Sequence, residues 1–234
     1  MIDVTHQISA TDRTVAARTL PAGEARVIEI ARTYDAPLDD VWDACTNPER
    51  IPRWFLPVEG DLKVGGHYQL EGNASGTVER CDPPTGFDAT WEFGGEVSWI
   101  ELRLTAEGDD RTRFVLTHIA HVDDERWAQF GPAAVGIGWD LGLIGLTLHL
   151  AGGGATVDPA EVAAWSASPD GVAFVAASGR AWGDAHLASG LDPAEAVEQA
   201  ATATIAFYTA PPEGDETGEG DETEEGDEAA GPTH

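Results

Sequence analysis

The chain has 234 residues, with 42 Asp and Glu against 13 Lys and Arg and a formal net charge of −29. A field of that sign repels phosphate backbones and anionic lipid, so neither nucleic acid nor a membrane surface is expected as a partner. Ten of the acids lie between Glu213 and Glu228, and the rest of the chain is still strongly acidic, which serves solubility. There are two cysteines, Cys45 and Cys81, too few for a disulfide scaffold, and "MIDVTHQISATDRTVAARTL" has no apolar run of the secretory kind. A reduced, cytoplasmic location is the expectation.

Residues 1–24 read as polar and irregular, with a weak strand signal at most. "ARVIEIARTYDAP" alternates, with Ile28, Ile30, Arg32 and Tyr34 on one side and Val27, Glu29, Ala31 and Thr33 on the other. That is the pattern of a strand with one buried face. "DAPLDDVWDACTNPERIPRWF" then starts a helix, with Asp35 as a possible cap, Pro37 in its first turn and Val41, Trp42 and Cys45 on an apolar side. Asn47-Pro48 ends it.

Five strand signals follow, each bounded by turn residues: "GHYQLEG", "GTVERCD", "FDATWEF", "EVSWIELRLTAEG" and "RTRFVLTHIAHV". Hairpin spacing predicts an antiparallel meander. The Gly65-Gly66 pair that opens the first reads as a turn and not as a phosphate loop, because no helix follows it.

"PAAVGIGWDLGLIGLTLHL" (132–150) is long and apolar, with Asp140 at its centre and no basic flank. It reads as a buried helix, not a membrane span. Val135, Trp139, Leu143, Leu146 and Leu150 share one stripe. Ile137, Leu141, Ile144 and Leu148 lie opposite, and Gly138, Gly142, Gly145 and His149 form a narrow third groove. A helix apolar on two sides needs two covers: the sheet and something else. Two "DPAE" helix starts, at Asp158 and Asp192, and a helical stretch between them make residues 155–210 a helical appendage able to supply the second cover. Residues 211–234 hold no large apolar side chain and read as a disordered acidic tail.

The expected organisation is therefore an N-terminal irregular segment (1–24), a domain over 25–154, an appendage packed on it (155–210) and the tail (211–234). The fold class is α+β. The runs "RTYDAPLDDVWDACTNPERIPRWFLP", "GDLKVGGHYQL", "ATWEF" and "TRFVLTHIAH" resemble the SRPBCC (START-like, polyketide-cyclase-like) superfamily, and within it the branch named for activators of the heat-shock-protein-90 ATPase. The resemblance covers about residues 25–150. It implies a helix-grip fold: a curved antiparallel sheet wrapped around a long helix, with a cavity between them that often holds an apolar ligand. It fixes no function, because the superfamily contains cyclases, lipid carriers, receptors and chaperone co-factors.

Candidate site residues follow from strand parity and composition. His118 shares a strand face with Leu116 and Phe114, so it is a polar anchor or a base if that face lines the cavity; the plainer alternative is a core histidine bonded to its neighbours. His67 and Tyr68 are consecutive, so one faces inward. Trp91 and Phe93 share a face and are expected to meet Trp139 and Leu143 across the cavity, with Trp54 and Phe55 supplying further aromatic wall. Asp140, if buried, needs an Arg, His or Trp N–H partner; beside His118 it would form an acid–base couple, and otherwise a structural bond to the appendage. His118 and His121 lie on opposite strand faces, so no metal is expected there. No phosphate-loop, dinucleotide or nucleophile-elbow motif is present, and no cofactor is implied. The favoured function is binding of a small apolar or aromatic molecule. Its rivals are a cyclase- or dehydratase-like enzyme using His118 or His67 with Asp140, and an interaction module whose protein partner engages the appendage or the tail.

Overall fold

The computed structural model describes residues 2–210; the expected disordered tail lies outside them. Eight strands form one open sheet: β1 (Thr11–Leu20), β2 (Gly23–Tyr34), β3 (Val58–Gly60), β4 (His67–Leu70), β5 (Ser75–Asp82), β6 (Gly86–Phe93), β7 (Glu96–Ala106) and β8 (Thr112–Ala120). Their order is β1-β2-β8-β7-β6-β5-β4-β3, with every neighbouring pair antiparallel. The helices are α1 (Val4–Ser9), α2 (Leu38–Thr46), α3 (Asp124–Phe130), α4 (Ala133–Ala151), α5 (Pro159–Ser166), α6 (Pro169–Ser189) and α7 (Ala194–Thr209), with a single 3-10 turn at Ile51–Arg53. This is the α+β helix-grip architecture that the meander and the long helix predict.

Register builds the inner face of the sheet in rows. Val78, Ala89, Ile100, His118 and Ile28 lie side by side across five strands, all buried. The next row runs Cys81, Phe87, Leu102, Leu116, Ile30 and Arg13. A register shift between Val78 and Arg80 interrupts the β5–β6 ladder, a device that bends a sheet locally.

The N-terminal segment is not irregular. It forms α1 and the ten-residue edge strand β1, paired with β2 along its whole length. The inner side of β1 carries Thr11, Arg13 and Val15, so most of the apolar alternation that marks a strand is missing.

Helix α4 lies between the sheet and α6, which covers its second side. Gly136 makes that contact possible: a Cβ there would sit 2.3 Å from the Trp182 indole. On the third groove, a Cβ at Gly145 would sit 2.2 Å from the backbone oxygen of Trp54, and one at Gly142 would touch the Phe55 ring. The glycine groove thus seats the 51–55 turn. Below it, the fully buried His149 accepts from Arg50 Nε at 3.2 Å and donates through Nδ1 to the Ala155 carbonyl at 2.7 Å. Val135 and Leu148, placed on the two apolar stripes, are exposed.

The two "DPAE" segments differ. Asp158 caps α5 by accepting from the Ala160 amide. Asp192 does not cap α7, whose N-cap is Pro193. Its Oδ2 instead takes the indole N–H of Trp127 and Nε2 of His186, each at 2.8 Å. Partial burial would raise the Asp192 carboxyl, but these bonds hold it below its usual value.

Candidate functional site

Between the inner face of β4–β8 and the segment formed by α2, the 51–55 turn and α4 lies an apolar cavity of about 150 Å³. Its floor is the β5–β8 part of the two sheet rows without His118, joined by Phe114 on β8 and Trp91 on β6. Its roof is Trp54, Phe55 and Trp139. No Asp, Glu, Lys, Arg or His lines it. Leu62, Phe55, Trp91 and Trp139 are half-buried and form its rim.

The aromatic groups form a connected wall. Trp54 and Phe55 have ring centroids 5.4 Å apart, Phe55 stacks on Trp139 at 6.4 Å, and Trp139 meets Trp91 at 5.0 Å. The Trp54 indole donates to the Ala44 carbonyl at 2.9 Å, pinning the turn to α2.

A hydrogen-bonded chain fixes the far end of this wall. Trp139 Nε1–H donates to Nδ1 of His118 at 3.0 Å. Nδ1 is therefore the accepting nitrogen, and Nε2 carries the proton and donates to Ser98 Oγ at 2.8 Å. The Ser98 hydroxyl in turn donates to the Trp91 carbonyl at 2.9 Å. The chain begins on one cavity tryptophan, Trp139, and ends on another, Trp91. Burial pushes His118 down to about 4, so the ring is neutral and both nitrogens are in use.

The structure sorts the candidates. Trp54, Phe55, Trp91, Phe114, Leu116 and Trp139 line the cavity. His118 is buried one layer behind, bonded to the wall and not exposed to the space. Leu143 is buried core beside the cavity, not on its surface. His67 is exposed; Tyr68 is the inward member of the pair, its hydroxyl held by the Thr90 carbonyl at 2.7 Å. Phe93 is 60 % exposed. It is the last residue of β6 before the Gly94-Gly95 turn, beyond the wall that α4 forms.

Asp140 is not paired with His118. It takes Arg13 in a two-pronged salt bridge at 2.6 and 3.1 Å, and its Oδ2 also accepts from Ser178 at 2.6 Å and Trp182 at 2.9 Å. It therefore ties α4 to β1 and to α6. The proposed acid–base couple is absent because Asp140, one residue after Trp139, is turned about 100° around α4, toward β1 and α6.

Both cysteines line the cavity, which the sequence did not single out. Cys45 is on α2 and Cys81 on β5. Burial pushes the Cys45 thiol up to about 12 and raises that of Cys81 as well, so both are neutral, weakly polar wall. Among the described residues no group of three His, Cys, Asp or Glu is placed to hold a metal.

The sequence model described as activator of Hsp90 ATPase homolog 1-like protein matches residues 35–149, the stretch that supplies most of the cavity. Among solved structures, the crystal structure of CalU16 from Micromonospora echinospora is 38 % identical, over 75 % of this chain and 98 % of that one, with a TM-score of 0.61. Its solution structure gives 38 % identity over 77 % and 97 %, with a TM-score of 0.64. No curated protein matches the chain.

Proposed function

The chain belongs to the activator of Hsp90 ATPase homolog 1-like family of the SRPBCC superfamily, and on that premise we propose that it binds a small, neutral, apolar or aromatic molecule in the cavity under α4. The observation that carries this reading is a 150 Å³ space walled by linked aromatic rings and lined by no charged side chain. A charged ligand would lose its hydration there with nothing to replace it. An apolar space of this size, as in an engineered lysozyme cavity, holds a molecule such as benzene. Ligands of drug size occupy about 300–1,000 Å³, so a larger occupant requires the rim at Phe55, Leu62 and Trp139 to part.

The rival enzymatic reading finds less support. Catalysis needs convergent titratable groups with free hydrogen-bonding capacity. His118 is neutral and saturated, Asp140 is committed to Arg13, and His67 faces outward. A protein partner at the appendage has no particular contact to recommend it.

The test is a fluorescence titration of the full chain with a panel of neutral monocyclic and bicyclic aromatics, alkyl chains, and carboxylated analogues of each. Trp91 and Trp139 sit on the wall, so an occupant changes their emission. The neutral series is expected to saturate the signal and the carboxylated analogues to bind at least about tenfold more weakly, since a tenfold change is only 1.4 kcal/mol. Equal binding of both series, or of neither, would remove the proposal.

A further inference from the structure

Given a ligand in the cavity, its route inward is set by how unequally the roof and rim are held. Two of the three roof rings are bolted through their indole N–H groups: Trp54 to the Ala44 carbonyl at 2.9 Å and Trp139 to His118 Nδ1 at 3.0 Å. Leu62, on the rim, sits in a loop laced by backbone bonds, from Asp61 N–H to the His67 carbonyl at 2.9 Å and from Gly65 N–H to the Val78 carbonyl at 2.8 Å. Phe55 has no polar atom by which its ring could be held.

The backbone beneath that ring is fixed. The Phe55 amide donates to the Ile51 carbonyl at 2.9 Å, and the Val157 amide to the Arg53 carbonyl at 2.7 Å. Arg50 ties the start of the turn to Asp40 and Asp43 of α2 and to His149 of α4. The part with freedom to move is therefore the Phe55 side chain and not the turn that carries it.

On α4 the ring rests against a glycine. A Cβ at Gly142 would lie 3.4 Å from Phe55 Cε2 and 3.7 Å from its Cδ2, which is van der Waals contact and nothing firmer. The ring's other neighbour on α4 is Trp139, stacked at 6.4 Å between centroids. Four residues before Gly142, on the same side of the helix, is Gly138, where a Cβ would meet nothing within 4 Å. The groove is thus bare and empty one turn along α4, about 6 Å away. Neither glycine presents a side chain that the ring would have to displace.

We propose that the Phe55 ring is the gate of the cavity. Closed, it stacks on Trp139 over Gly142. Open, it lies along the bare backbone at Gly138 and no longer covers the space. The proposal rests on the ligand-binding reading for its purpose, but the movement of the ring can be read without a ligand.

Two readouts test it. In the full chain labelled with para-fluorophenylalanine, the Phe55 signal, identified by its loss in Phe55→Leu, is expected to show exchange on the μs–ms scale of lid motions. Gly138→Leu, a change at an exposed position, fills the open seat and should abolish that exchange. Fluorobenzene reports passage through the mouth, by exchange of its own fluorine signal between free and bound. Gly138→Leu is expected to slow its binding and release by the same factor, about tenfold or more, so that Kd is unchanged. Phe55→Ala should speed release by at least about tenfold. A Phe55 signal without exchange, or one whose exchange survives Gly138→Leu, overturns the gate. So does a Gly138→Leu chain that slows nothing or that alters Kd in place of the rates. If fluorobenzene does not bind while the Phe55 exchange is present and is lost in Gly138→Leu, the gate stands and the ligand-binding reading falls.

Discussion

The indole N–H of Trp139 points at Nδ1 of His118 across 3.0 Å, and this bond joins the long helix to the sheet at the edge of the cavity. It makes the histidine a neutral acceptor and fixes the orientation of the tryptophan that forms the roof.

Acid should weaken that joint. Burial holds the folded-state pKa of His118 at about 4, against an ordinary value of 6.5. The unfolded chain therefore takes up this proton first, and the contribution of His118 is fully present above pH 6.5 and lost as pH falls through 4. The difference corresponds to about 3 kcal/mol. His118→Phe is less stable at pH 7, and its deficit relative to the parent should shrink by about that amount between pH 7 and pH 4. Parallel denaturant titrations at several pH values check this; a constant gap would place the buried proton elsewhere.

Trp139→Phe keeps a ring on the wall but leaves Nδ1 of His118 without a donor. An unmet buried acceptor costs about 1–3 kcal/mol, and loss of that size is expected in chemical unfolding. Adding His118→Phe to it should cost less than the sum of the two single changes, because the residues share one interaction.

The glycines of α4 should separate sharply. Gly145→Ala places a methyl 2.2 Å from the Trp54 backbone oxygen; the 51–55 turn must shift, and a loss of about 2 kcal/mol or more is expected despite the helix propensity gained. A Cβ at Gly138 meets nothing within 4 Å, so Gly138→Ala should stabilise by about 0.5–1 kcal/mol. Thermal melts of the two variants decide it.

Asp140→Asn preserves shape and removes the charge that pairs with Arg13. Breaking a buried ion pair from one side costs about 3–5 kcal/mol. Because Asp140 also holds Ser178 and Trp182, the variant should expose α6 to proteolysis before the sheet. Simultaneous loss of sheet and appendage would show that the two unfold as one unit.

Much of this architecture was legible in the chain. The strands of the meander end at glycine and proline turns, and α4 showed two apolar sides and a glycine groove because three neighbours press on it. Within the cavity that the resemblance implied, Trp91, Phe114, Leu116 and Trp139 followed from strand parity and helix phase, and Trp54 and Phe55 from their aromatic character. Strand β1 was hidden because its inner side carries Arg13, whose partner is 127 residues away. Parity left His67 and Tyr68 undecided; the bond from the Tyr68 hydroxyl to Thr90, on a strand two positions across the sheet, resolves the choice. Phe93 had the right parity and the wrong reach. Neither Ser98 as the link below His118 nor Cys81 as wall carried any local signal, since each owes its role to register between strands; Cys45 lay on the apolar side of α2, but nothing local tied that side to the cavity.

The central claim is that the space under α4 takes an uncharged ring. Crystals of the full chain equilibrated with iodobenzene test it most directly. The account predicts an iodine anomalous peak enclosed by Phe55, Trp91, Leu116 and Trp139, and no such peak in Ala89→Leu, where added side-chain atoms fill the floor. A solid interior in the parent protein, or iodine found only on the outer surface, would contradict it.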